Sequence, residues 1–294
     1  MNITLTGASG FLGKRLIEEL LAGGHSLHIL GRRPVAGLAF SQWDSLGGEP
    51  PEASLRSADA VIHLAGEPVA QRWNPEVKRR IQDSRLNGTR RLVHALSTLS
   101  KRPGILVSGS ATGIYGSRGD EVLTEKSRAG SGFLPDLTVQ WEKEADLAEA
   151  LGMRVVKIRT GIVLGKGGGA LGQMLTPFRA GVGGKLGSGE QWMSWIHISD
   201  IVGLMLHALQ NNQVRGALNG TAPNPVRNSE FTAELGKALH RPAVLPIPAF
   251  ALKLLFGEMS SVMLESQRVI PEAARIAGYR FRFPDLGPAL ADVV

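Results

Sequence analysis

Cysteine is absent from the 294 residues. That excludes disulfides, cysteine-ligated metal and thiol nucleophiles, while leaving the compartment open. No stretch approaches the roughly eighteen uninterrupted apolar residues of a membrane span, and the N-terminus enters an apolar strand with no basic segment or signal core before it. A cytoplasmic location without a membrane partner follows by default. The seven histidines form no H-x-x-x-H or paired-acid pattern, so no metal site is expected. Long basic runs are also missing. The net charge of +7 comes mostly from 23 arginines against 10 lysines, but they are scattered, and no zinc-finger, RRM or homeodomain pattern occurs. This balance reads as a solvated basic surface plus an anionic cofactor, with no nucleic-acid partner.

What is present is an ordinary globular composition, 43% hydrophobic and 20% charged, in a chain long enough for one large or two modest domains. Asn2–Thr6 reads as a short strand. Gly7-Ala-Ser9-Gly10-Phe11-Leu12-Gly13 turns from it into a helix whose core face is Leu12, Leu16, Ile17, Leu20 and Leu21. Gly23-Gly24 stops that helix, and Ser26–Leu30 is a second strand. A βαβ unit with glycines at its first turn lays a dinucleotide pyrophosphate on a helix N-terminus. Gly7 permits the tight turn, Gly10 the approach of the pyrophosphate, and Gly13 close helix–strand packing. The second strand ends in Gly31-Arg32-Arg33, where an NAD site usually places an acid. Guanidinium groups there suit a ribose 2′-phosphate, so NADP is the expected cofactor.

A Gly- and Pro-rich loop is expected next, then a buried strand over Asp59–Leu64 ending in Ala65-Gly66. His63 at its end suits a structural role beside the cofactor. Helical periodicity covers 75–99, with Gly88 expected to mark a bend or junction. Strands follow over Ile105–Ser108 and Arg154–Arg159, with a helix over Phe133–Leu151 between them. Alternation of this kind predicts a parallel sheet covered on both faces. After residue 165 the texture changes. A glycine-rich region surrounds a short helix at Leu171–Phe178, Ser199 or Asp200 is expected to cap a helix over Ile201–Leu209, and Asn228 or Ser229 one ending at Leu239. The expected fold is therefore α/β: a Rossmann-type doubly wound parallel sheet over 1–165, with a smaller, mainly helical substrate region over 166–294 whose segment near 194–221 returns to the sheet.

Several blocks fall in order: Thr6-Gly-x-x-Gly10-Phe-Leu-Gly13, Val61-Ile-His63-Leu64-Ala65-Gly66, Asn87-Gly-Thr89, Ser110-Ala-Thr-Gly-Ile-Tyr115-Gly116 and Arg159-Thr-Gly-Ile-Val-Leu-Gly165. Together they resemble the extended short-chain dehydrogenase/reductase superfamily, which includes NAD(P)-dependent epimerases and dehydratases. Gly187-Ser-Gly-Glu-Gln-Trp192, Ser194–Asp200 and Asn219-Gly-Thr-Ala-Pro223 are similar to its atypical YfcH-like epimerase-family branch. The resemblance implies cofactor contacts from Gly7, Ser9, Gly10, Phe11, Leu12, Gly13, Arg32, Arg33, Leu64, Ala65, Gly66 and Ser108. It also implies a catalytic hydroxyl at Ser110.

The chain departs from that superfamily at its proton relay. Tyr-x-x-x-Lys usually supplies a phenolate whose pKa the lysine lowers. Neither of the two tyrosines, Tyr115 and Tyr279, has this spacing, and Leu134 and Thr138 stand where the pair belongs. The remaining candidates are three: Ser110, which otherwise satisfies backbone at a strand end; Tyr115, which supplies a phenol from an unusual direction or else packs with its hydroxyl tied off; and Glu142, which serves as an acid–base only if buried with a raised pKa and is otherwise a helix-surface carboxylate. The Gly187–Trp192 loop is either a substrate wall or a loop anchored by its tryptophan. The expected function is an NADP(H)-dependent oxidoreductase or epimerase-like enzyme on a small molecule, as a monomer or homodimer. The competing reading is a non-catalytic NADP(H)-binding redox sensor.

Overall fold

The computed structural model describes residues 1–294. Seven parallel strands form one sheet: β1 (Asn2–Thr6), β2 (Ser26–Gly31), β3 (Ala39–Gln42), β4 (Ala60–His63), β5 (Ile105–Ala111), β6 (Arg154–Thr160) and β7 (Gly216–Gly220). Their spatial order is 3-2-1-4-5-6-7, every neighbour pair running parallel. This is the Rossmann order, and its reversal at β1 opens a crevice at the carboxyl ends of β1 and β4. Strand β3 lies where a loop is expected. It is a four-residue edge strand with no fully buried position, so it has no apolar alternation to announce it.

The helices that cover the sheet are α1 (Phe11–Ala22), α2 (Pro75–Ser97), α3 (Phe133–Asp146) and α5 (Ile198–Gln210), while α4 (Gly169–Arg179) and α6 (Asn228–Leu239) lie beside it. Alternate strand residues point to opposite faces. Ile62, Val107, Val156 and Ile158 meet Leu16, Ile17 and Leu20 of α1 and Ile201, Val202 and Met205 of α5 in one core. Val61, Leu106 and Val155 meet Leu92, Val93 and Leu96 of α2 and Ala145 of α3 in the other. Leu21, expected on the core face of α1, is 45% exposed, because the 100° step from Leu20 carries it past the edge of the contact.

Helix α2 runs unbroken through Gly88, so the expected bend is absent. A Cβ at 88 would come 2.8 Å from the Ser45 Cβ; glycine here lets segment 43–46 lie against the helix. At α5 the cap is His197, whose ring accepts the Ser199 N–H at 3.1 Å. Asp200, one of the two expected caps, sits inside the helix and accepts the N–H groups of Arg282 and Phe283 at 2.7 and 2.9 Å, tying the C-terminal segment to α5. Neither expected cap serves α6: Arg227 is its N-cap, and the Asn228 side chain instead accepts the Leu186 N–H at 2.8 Å. The C-terminal third shares the main sheet through β7, while α4, α6 and the helix Leu286–Val293 close a third core around Phe178, Trp195, Phe231 and Leu235. No helix is long and apolar enough to cross a membrane.

The carboxyl ends of β1 and β4 are pinned by one fully buried histidine. Thr6 Oγ1 accepts the N–H groups of Leu64 and Ala65 at 3.0 and 3.1 Å. Its own proton therefore points to His63 Nδ1, 2.8 Å away. That assigns the ring proton to Nε2, which donates to Thr89 Oγ1 on α2 at 3.2 Å. Burial pushes the His63 pKa down to about 4. The unfolded chain thus takes the proton first, and stability falls as pH drops from 6.5 towards 4. His63 alone should cost roughly 2 kcal/mol between pH 7 and pH 5. In urea unfolding at the two pH values, His63→Gln should lose about that much less than wild type; equal losses would refute this assignment.

Candidate active site

The crevice is a cavity of about 310 Å³ between the Gly7–Gly10 turn, Arg32 and Arg33 at the end of β2, segment Trp43–Leu46, and Leu64–Gly66 after β4. Its floor depends on two close approaches. Gly7 has φ +74°, and a Cβ there would lie 2.7 Å from the Leu64 carbonyl group; at Gly13 a Cβ would lie 2.2 Å from the Gly7 oxygen. Any side chain at either position would push the turn off β4 or lift α1 away. No side chain caps α1, and its first intrahelical bond runs from Lys14 N–H to the Gly10 carbonyl at 3.1 Å. The N–H groups of Phe11, Leu12 and Gly13 are left without protein partners, as an anion at a helix N-terminus requires.

Most of the expected cofactor residues gather here. Gly7, Ser9, Gly10, Arg32, Arg33, Leu64, Ala65 and Gly66 all line the cavity, and Arg32 and Arg33 are exposed. The rest contribute differently. The Phe11 ring packs under the glycine loop, with a Cβ at Gly165 or Gly168 falling 2.8 Å from it, and Leu12 packs on the core. Ser108 is fully buried, donates to the Gly109 carbonyl at 3.1 Å and is not among the residues lining the cavity. Trp43–Leu46 escaped the sequence reading. The glycine at 88 that admits this segment was its only trace.

The three catalytic candidates converge, but on a group that the sequence reading did not single out. Arg159 projects from β6 with the same facing as Val155, towards α3. Its Nε and Nη2 both lie 2.8 Å from the two Glu142 oxygens, and its Nη1 donates to the Tyr115 hydroxyl at 2.9 Å. Ser110 donates to Glu142 Oε1 at 2.5 Å, and Tyr115 to Asn219 Oδ1 at 2.7 Å. Ser110, Glu142, Arg159, Tyr115 and Asn219 are all buried.

This arrangement corrects two expectations. Glu142 is buried, not a helix-surface group, yet its pKa is not raised. Burial pushes the carboxyl up, but the Arg159 fork, the Ser110 hydroxyl and the Lys157 charge outweigh it and hold it below the usual range. Tyr115 is wholly inaccessible, and burial raises its phenol above the ordinary value despite Arg159, so it is a strut that offers no phenolate to the cleft. At the relay positions, Leu134 lies against the turn at Gly113 and Thr138 spends its hydroxyl on the Leu134 carbonyl at 2.7 Å. The clue to Arg159 was a charged residue at the end of a strand otherwise buried on both faces. His197 is buried against Phe283, the ring centroids 3.9 Å apart. Trp192 stands between the guanidiniums of Arg227 and Arg268, 4.4 and 4.5 Å from them, and donates to Asp120 at 2.7 Å.

Removing one partner of a buried ion pair strands the other charge. Arg159→Met should destabilise the fold by about 3–5 kcal/mol, and adding Glu142→Gln should recover part of that loss. Denaturant midpoints of the single and double variants measure both. A single variant within about 1 kcal/mol of wild type would show that the pair is not the buried charge balance described here.

Residues 3–219 match the NAD dependent epimerase/dehydratase family, and residues 247–293 match a domain of unknown function designated DUF1731. The chain is 41% identical to the Arabidopsis thaliana epimerase family protein SDR39U1 homolog, chloroplastic, over 100% of this chain and 87% of that protein. It is 38% identical to the Bacillus subtilis epimerase family protein YfhF over 100% and 98% of the two chains. Among solved structures it is similar to the human epimerase family protein SDR39U1 (isoform 2) with NADPH, at 37% identity and a TM-score of 0.90, covering 100% of this chain and 99% of that one. The sheet order, the glycine turn and these matches agree: the chain belongs to the NAD dependent epimerase/dehydratase family.

Proposed function

We propose that this protein is an NADP(H)-dependent oxidoreductase that reduces a small carbonyl compound or oxidises the corresponding alcohol. The observation that carries the reading is the cleft's charge pattern. The free N–H groups of α1 face its pyrophosphate end, and Arg32 and Arg33, engaged in no ion pair, stand where an acid would exclude a 2′-phosphate. The NADPH in the human relative's structure supports the same cofactor. When bound, that cofactor supplies or accepts hydride at its nicotinamide.

The chain's own residues then bind and orient. Ser110 already gives its proton to Glu142, so its oxygen accepts a hydrogen bond from a ligand hydroxyl and fixes where that hydroxyl stands. With Glu142 and Tyr115 committed to Arg159, the proton for the alcohol comes from water or a ligand hydroxyl. Delivering one proton in this way suits a reductase better than an epimerase, which must remove a proton and return it to a retained keto intermediate. NADPH should bind at least tenfold more tightly than NADH. Replacing Arg32 and Arg33 together by alanine should weaken NADPH roughly tenfold or more and leave NADH within about twofold. Fluorescence titration measures this, and equal affinities for the two cofactors in wild type would overturn the NADP assignment.

The apolar Leu134 and back-bonded Thr138 at the relay positions favour one second reading, a non-catalytic protein that senses the NADP redox state. A change in oligomer size between NADP and NADPH by analytical ultracentrifugation, with no turnover across a panel of aldehydes and ketones, would select it. Turnover of any member selects the enzyme.

A further inference from the structure

A charged residue not used above lies beside the cleft. Arg85 on α2 lays its guanidinium over the Trp141 ring, 5.2 Å from the centroid. A Cβ on Gly66, at the rim of the cavity, would lie 3.4–3.6 Å from the guanidinium carbon and its two terminal nitrogens. Nη1 is fully used, donating to the carbonyls of Glu67 and Ile81 at 2.9 and 3.2 Å. Nε and Nη2 donate to nothing in the protein, and they are the two parallel N–H groups on one edge of the fork that match a carboxylate or phosphate.

No carboxylate neutralises this group. Arg85 makes no ion pair, and the nearest acid, Glu67, is held by Arg80 at 2.9 Å. Burial lowers the Arg85 pKa to about 10, with the Glu67 charge offsetting only part of the loss. A partly desolvated cation with a vacant bidentate edge is costly unless an anion completes it.

Its position tells which ligand would bring that anion. The Trp141 ring on which it stacks approaches to 3.3 Å of where a Cβ on Gly109 would be, one residue before Ser110, and Glu142 follows Trp141 in α3. Through that ring Arg85 neighbours the strand and the helix that carry Ser110 and Glu142. Arg85 itself is not among the residues lining the cavity that Gly7–Gly10, Arg32 and Arg33 share with Gly66.

We propose that Arg85 is a substrate-binding residue whose Nε–Nη2 edge grips a carboxylate or phosphate on the molecule oriented by Ser110, making the substrate a small anionic carbonyl or alcohol compound. This rests on the oxidoreductase reading. The structural alternative is a strut that stacks on Trp141 and ties two carbonyls.

The test uses the full chain saturated with NADP, titrated with malonate and with inorganic phosphate by ligand-detected NMR. Millimolar binding of at least one anion is expected in wild type, unchanged in the Arg32→Ala/Arg33→Ala protein once it is resaturated with cofactor. Arg85→Gln and Arg85→Lys should each weaken that binding tenfold or more, lysine keeping the charge but losing the fork, while the NADP affinity stays within twofold. Absence of anion binding in wild type, or retention in both Arg85 variants, overturns the proposal. Loss of binding in the resaturated Arg32/Arg33 variant would mean that the anion depends on those guanidiniums and not on the Arg85 fork, and also overturns it. A parallel fall in NADP affinity in the Arg85 variants would mean that the cofactor's own phosphate fills the fork, again against a substrate role. Failure of wild type to bind NADP at all would overturn the oxidoreductase reading, which separates the two failures.

Discussion

The bidentate pair between Glu142 and Arg159 is the constraint on which the Ser110 side of the molecule depends. A guanidinium on a central strand cannot stay charged in the interior without a partner that matches both its charge and its plane. Glu142 supplies the match with two contacts of 2.8 Å, and this sets the distance between α3 and β6. Ser110 on β5, Tyr115 after it and, through Tyr115, Asn219 on β7 then hydrogen-bond in turn. Three adjacent strands and one helix are thereby locked around a neutral group of charges. The Arg159 fork holds the Glu142 carboxyl below its usual range, while burial keeps the Tyr115 phenol above its own, so neither has the pKa that acid–base work would need.

The cofactor half depends on steric closeness instead of charge. Gly7 and Gly13 bring turn, helix and β4 into contact at distances that exclude a Cβ. Thr6 holds the Leu64–Ala65 turn by its hydroxyl, which hands its proton on to His63. From His63 the chain of contacts runs to Thr89, which also accepts the Trp141 indole N–H at 3.0 Å. Trp141 precedes Glu142. The two halves of the site are thus joined by an unbroken series of buried polar contacts, with Arg85 stacked on its last aromatic member.

The legibility of these parts from sequence follows the range of their causes. The βαβ unit, the five inner strands and the main helices rest on local periodicity and on glycines within one turn of each other, and they were readable. The walls of the cleft at the ends of β1 and β2 come from contiguous blocks for the same reason, Gly7–Gly10 and Arg32-Arg33 lining one cavity. Strand β3 was not readable, because an edge strand with no buried position has no alternation. Gly88 was misread as a bend because its reason lies 43 residues away at Ser45. Glu142 and Tyr115 stand out as candidates in the sequence, but their chemistry depends on distant groups: Arg159, 17 residues from Glu142, holds that carboxyl low, and burial raises the Tyr115 phenol against the Arg159 contact 44 residues away. Lys157 and Arg159, on the face of β6 that Val155 shares, carry the one local warning: buried charges on an inner strand always have partners elsewhere in the chain.

The loss of Tyr-x-x-x-Lys is better understood together with Arg159 and Arg85 than as a simple deletion. In the usual arrangement a lysine charge lowers a tyrosine pKa at the cleft surface. Here the corresponding helix positions are apolar or self-satisfied, and the positive charge lies elsewhere: Arg159 buried and compensated, Arg85 beside the rim and uncompensated. A compensated charge shapes a site, whereas an uncompensated one with free donors attracts a ligand. On the proposed reading, moving the vacant cation from the proton relay to the wall of the cleft would shift the protein's contribution from proton transfer to holding an anion in place. A hydride-transfer reaction would tolerate that division of labour well, because the hydride would come with the cofactor and the protein would have to supply only position.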